Sequence, residues 1–261
     1  MKWMFFALIL DRVQLKLTAG AYKYSPFRSG YAIIDKVLQR DAYAPMAYRW
    51  LMPLLASSKK GRFVWVYEPL KIGMMAFSMW AASLILGVAG GLALGLMYCM
   101  TFWTDYWDVY IEVGAYALAL TGQVELALLG AILLGLSRET APLVGIIYAL
   151  VTGDIGGGLQ LIALSSAILL IIRLYVGKKK LYCERFMWRQ NIRDVKDIFE
   201  NHPFYLGEIT MTLITTALTI IAILQFPPGW PVCLVLLLAG WLMGRAAETR
   251  IFAGCFLWII P

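Results

Sequence analysis

Residues 124–151 read VELALLGAILLGLSRETAPLVGIIYALV, an apolar run in which an arginine and a glutamate stand side by side. Pro142 has no amide hydrogen, and its ring clashes with the carbonyl group four residues earlier, that of Arg138. The sequence therefore predicts that a helix kinks or breaks at this point. Because an unpaired carbonyl group is tolerated in lipid only against protein or water, we expect Arg138 and Glu139 to face a protein-enclosed or water-filled cavity.

The two charged side chains of this stretch are poorly placed to neutralise each other. Adjacent residues on a helix point about 100° apart. We therefore expect Arg138 and Glu139 each to have another partner. The simplest alternative is a structural ion pair, with Glu139 or with another buried acid, but ionisable residues at membrane depth are functional candidates by default.

The composition around this stretch is that of a membrane protein. Of the 261 residues, 61% are hydrophobic and 15% are charged, which is more apolar surface than a soluble core of this size can bury. Tryptophan and tyrosine gather at the ends of the apolar runs, as in YCMTFWTDYW. We predict an all-α, polytopic integral membrane protein with broken or short helices. Its apolar runs are 72–100, 159–176, 209–226 and 232–243, the last continuing at 251–260.

The basic residues suggest how the chain is organised. The net charge of +7 comes from residues that lie between apolar runs, which indicates membrane topology and argues against a nucleic-acid partner. We predict one membrane domain, 1–261, in which residues 1–70 are largely interfacial and do not span. Residues 71–176 and 207–261 form membrane helices, and the basic segment 177–206 is a cytoplasmic loop. Four scattered cysteines give neither a zinc spacing nor a disulfide framework, so no metal site is expected and no cofactor is indicated.

Three other charged clusters have less specific patterns. In YRWLMP, Pro53 follows Arg49 by the same four residues, although an arginine that extends to the membrane interface would explain this motif equally well. In GRAAETRIF, a structural salt bridge at the three-residue spacing is the simpler interpretation. In TFWTDYWDVYIE, the acids Asp105, Asp108 and Glu112 are equally ambiguous, since an interfacial belt with solvated carboxylates would explain them without any chemistry.

Taken in order, YRWLMPLLA, SRETAPL and ETRIF resemble motifs of bacterial polytopic membrane proteins that are similar to GT-C glycosyltransferases. The resemblance implies an inner-membrane enzyme that uses a polyprenyl-phosphate sugar as donor, with membrane lipid as its surroundings. The chain departs from the family pattern at both ends, because no full-length helix precedes the first acids and the sequence stops soon after ETRIF, so we expect a reduced relative or one that has lost the chemistry. The implied substrate-binding residues are Arg49, Arg138, Glu139, Glu248 and Arg250, and the catalytic acid is one of Asp11, Asp35 and Asp41.

The alternative from another class is a non-catalytic subunit or scaffold that packs against other membrane protein chains. Gly87, Gly91 and Gly95 recur every four residues and form a stripe of small residues that lets another helix approach closely. The same stripe is explained by packing within one chain. A transporter is a third hypothesis, since broken helices also form substrate sites, but no inverted repeat supports it.

Overall fold

The computed structural model describes residues 2–18, 48–56, 63–100 and 107–179, and a few single residues: Val37, Gln39, Ala42, Ala217, Ile220, Leu224, Leu234, Leu238 and Leu257. The four longer ranges contain helices and no strand. The helices are α1 (Lys2–Thr18), α2 (Leu51–Ala56), α3 (Phe63–Met100), α4 (Asp108–Leu120), α5 (Val124–Gly135), α6 (Leu143–Thr152) and α7 (Ile155–Val176).

Within these ranges, two stretches are long and apolar enough to cross a membrane: Pro69–Tyr98, which includes the turn of α3 at Gly87, and α7. The chain divides into two units, residues 1–100 with 105–182, and residues 101–104 with 183–261. All the helices above belong to the first unit. The apolar runs predicted at 209–226, 232–243 and 251–260, and most of the basic loop 177–206, lie outside the described residues.

The long helix α3 turns back on itself. Gly87 has φ 68° and ψ −179°, a conformation essentially restricted to glycine. The hydroxyl oxygens of Ser78 and Tyr98 lie 2.5 Å apart, whereas a straight helix would separate two residues twenty positions apart by about 30 Å. Thus α3 is a helical hairpin with arms 63–86 and 88–100. The longest apolar run of the sequence, interpreted as one membrane segment, is two antiparallel helices.

Helix α1 packs on this hairpin through the glycines of the second arm. A Cβ atom added to Gly91 would lie 2.8 Å from the ring of Trp3, and one added to Gly95 would lie 2.6 Å from the side chain of Leu10. Both would also press on Met79 of the first arm. Two members of the small-residue stripe therefore serve packing within the chain, and the third, Gly87, makes the turn.

Helices α5 and α6 form one broken helix that runs antiparallel to α7. A Cβ atom on Gly135 would contact Ile168, and one on Gly145 would contact Gly158. Gly158 and Ile168 are ten residues apart on α7, about 15 Å at the helical rise, so the end of α5 and the start of α6 follow one another along α7. The break between them, residues 136–142, consequently lies opposite the middle of the 22-residue α7. A turn at Gly153, with φ 73°, joins α6 to α7.

Candidate functional site

The helix break predicted near Arg138 is confirmed: residues 136–142 form turns between two separate helices. Helix α5 ends at Gly135 and α6 begins at Leu143. The prediction that the carbonyl group of Arg138 has no partner is wrong, because the amide of Ala141 donates to it at 3.3 Å. This tight turn satisfies the group that the helix could not.

A second chain segment enters at the break and brings Arg49 with it. The amides of Trp50 and Leu51 both donate to the carbonyl oxygen of Leu136, each at 2.8 Å. Leu51 is the first residue of α2 and Trp50 directly precedes it, and amides at the start of a helix have no partner within their own helix. The broken helix and the start of α2 therefore satisfy each other's backbone groups, and residue 49 lies beside residue 138.

The two arginines converge on one carboxylate. Nη1 of Arg49 donates to Oδ2 of Asp108 at 2.5 Å, and Nε of Arg138 lies 3.5 Å from the same oxygen. Asp108 is 2% exposed, and the two arginine side chains are 10% and 12% exposed. The structure thus joins the YRWLMP and SRETAPL motifs in a single buried site.

The second buried acid of the site, Glu112, accepts three hydrogen bonds. Nη1 of Arg138 donates to Oε2, and Thr140 and Tyr116 donate to Oε1 at 2.5 Å and 3.1 Å. The Tyr116 phenol, one turn further along α4, therefore donates to a carboxylate that is also paired with Arg138.

Glu139 has a looser environment than the other two acids. Its side chain is 30% exposed, and Oε2 lies 4.0 Å from Nη2 of Arg49. Oε1 is buried and has no hydrogen-bond partner among the described residues. The prediction that Arg138 and Glu139 have separate partners is confirmed, because Arg138 pairs with Glu112 and Asp108 while the basic neighbour of Glu139 is Arg49.

Asp11, one of the predicted catalytic acids, is not part of this group. Asp11 forms an ion pair with Lys71 at 2.8 Å, between α1 and α3, with both side chains almost fully buried. The remaining predicted residues lie outside the described residues: Asp35, Asp41, Glu248 and Arg250.

Two residues of the site were misinterpreted in the sequence. For Asp108 and Glu112, the interpretation as a solvated interfacial belt is wrong, because every residue from Asp108 to Ala119 is buried. The signal that identifies them is periodicity. Asp108, Glu112 and Tyr116 recur every four residues in an otherwise apolar helix, which places three polar side chains on one face.

Comparison with known proteins assigns neither a family nor a function to this site. No protein-family model, no curated protein and no solved structure matches the chain. The resemblance to GT-C enzymes therefore stays a hypothesis, based on the three sequence motifs.

Proposed function

We propose that the chain is a polytopic protein of the bacterial inner membrane that transfers a sugar from a polyprenyl-phosphate donor to a hydroxyl acceptor, as a GT-C-like enzyme. The observation that carries the proposal is the convergence of Arg49 and Arg138 on one buried site at a helix break. Broken helices at membrane depth are typical of substrate sites, because irregular backbone is tolerated there only beside protein or water. Guanidinium groups are well suited to bind a phosphate with two parallel hydrogen bonds.

The membrane location is supported by the surface of α7. Four of its apolar side chains, Leu159, Leu170, Ile171 and Leu174, are each more than half exposed. An exposed apolar face of this kind is unfavourable in water and favourable against lipid chains.

The proposal is tested by measuring lipid-phosphate binding to the whole chain in nanodiscs, with undecaprenyl phosphate as the probe. Arg49→Lys and Arg138→Lys keep the charge but lose the planar fork of donors, so each should weaken binding about 10-fold or more. Arg12→Lys, at an exposed arginine of α1, is the matched control and should leave binding unchanged. Equal binding by all four proteins would contradict the proposal.

The competing proposal is a non-catalytic membrane subunit. One observation favours it: Asp108 and Glu112 already neutralise the two arginines, as they would in a purely structural network. The glycine stripe no longer supports it, because α1 and the first arm of α3 cover Gly91 and Gly95. A subunit predicts that Arg49→Lys and Arg138→Lys lower stability without any change in lipid-phosphate binding.

A further inference from the structure

Among the described residues, the site holds one carboxylate more than its arginines neutralise. Arg49 and Arg138 contribute two positive charges, and Asp108, Glu112 and Glu139 contribute three negative charges. A buried site with net negative charge repels an anionic ligand unless one carboxylate moves or loses its charge. Phosphate binding therefore requires a displaceable acid.

Of the three acids, Glu139 is the one that can be displaced, because it has the loosest contacts and the highest exposure. Asp108 and Glu112 are 2% and 1% exposed and are held by short contacts to the arginines. Glu139 is 30% exposed, and its nearest basic contact is loose, at 4.0 Å. Moving its side chain breaks no hydrogen bond to the described residues, since its buried Oε1 has no partner among them and its Oε2 is 4.0 Å from Arg49.

The position of the Glu139 carboxylate, beside the Nε and Nη2 atoms of Arg49, suits a phosphate group. Nη1 of Arg49 is engaged by Asp108, while Nη2 faces Glu139 and Nε has no hydrogen-bond partner among the described residues. Nε and Nη2 form one edge of the guanidinium, and two N–H groups on one edge match two phosphate oxygens. Because Nε is buried, an anion reaches this edge by taking the position of the Glu139 carboxylate.

We infer that the donor phosphate replaces Glu139 beside Arg49, and that the released Glu139 carboxylate then takes the proton of the sugar acceptor. The inference rests on the proposed transferase function and names the base for it. The acceptor oxygen forms a bond to the anomeric carbon while its proton goes to Glu139. The bond between that carbon and the phosphate oxygen breaks, and its electron pair leaves with polyprenyl phosphate. The additional negative charge on the leaving phosphate lies against Arg49.

The test is Glu139→Gln, which removes the charge and the base but keeps the shape. Binding of undecaprenyl phosphate in nanodiscs should become at least about 10-fold tighter, because a competing like charge is gone. Release of undecaprenyl phosphate from a panel of undecaprenyl-phosphate hexoses and pentoses should fall by about 100-fold or more. Glu125→Gln, at an exposed acid in the first turn of α5, is the control and should change neither quantity.

The outcomes separate this inference from the proposed function. Weaker binding by Glu139→Gln would mean that Glu139 helps to hold the donor, and unchanged turnover would mean that it is not the base; either result overturns the inference and leaves the transferase standing. A purely structural role would weaken binding and turnover together. A wild-type chain that neither binds the probe nor releases it would overturn the transferase and the inference with it.

Discussion

Asp108→Asn should be among the most damaging conservative substitutions in this chain. The asparagine keeps the volume but removes the charge that faces Arg49 at 2.5 Å and Arg138 at 3.5 Å, in a side chain that is 2% exposed. Removing one partner of a buried ion pair costs about 3–5 kcal/mol, because the other charge is left uncompensated. At about 1.4 kcal/mol for each factor of ten, the unfolding equilibrium should shift about 100-fold to several thousand-fold.

The free energy of unfolding is measured by titrating sodium dodecyl sulfate into detergent micelles and following helix loss by circular dichroism. Asp154→Asn is the matched control. Asp154 is exposed and caps α7 by accepting the amide of Gly157 at 2.9 Å, and asparagine caps about as well as aspartate. We expect the control to stay within about 0.5 kcal/mol of the wild type. If both variants unfold at the same detergent fraction, Asp108 does not neutralise the arginines and the reasoning is refuted.

Three further predictions concern the helix packing. Gly87→Ala should destabilise the chain by about 1–3 kcal/mol, and backbone strain is the only cause because nothing lies within 4 Å of the added Cβ. The control is Gly73→Ala, in equally open space but within a helix, which should be neutral or stabilising in the same titration. Gly145→Val should destabilise by at least about 2 kcal/mol, because its side chain would press on the backbone of α7; wild-type stability would show that α6 and α7 are not in contact. Cysteines at Ser78 and Tyr98, in a chain without its native cysteines, should be joined by a short thiol-specific cross-linker, detected by mass spectrometry, whereas a straight α3 would hold them about 30 Å apart and leave them unlinked.

The helix break was predictable because its cause is local. The clash of a proline ring with the carbonyl group four residues earlier depends on the chain between Arg138 and Pro142 and on nothing else. The polar partners of Arg138 were not predictable in the same way. Glu112 lies 26 residues away, in a segment rich in tryptophan and tyrosine whose composition equally suits a membrane interface. Only the four-residue recurrence of its polar side chains distinguishes a buried face from a solvated belt.

The turn at Gly87 shows a second reason why the fold could not be fully predicted from the sequence. Glycine is favoured both where helices approach closely and where the backbone needs a positive φ, and the sequence LGVAGGLALG offers both uses at the same spacing. Gly91 and Gly95 take the first use and Gly87 the second, with φ 68°. Which glycine turns the chain depends on the residues that cover the others, here Trp3 and Leu10.

The hairpin of α3 also determines how sidedness is counted along the chain. In the membrane protein proposed above, a segment that turns back would emerge on the side from which it entered, so α3 would contribute an even number of crossings, although its hydropathy alone suggests one. The broken helix of α5 and α6 keeps one direction along α7 and would count once. Under that proposal, the conformation of the single residue Gly87 would decide whether the number of crossings in α3 is odd or even.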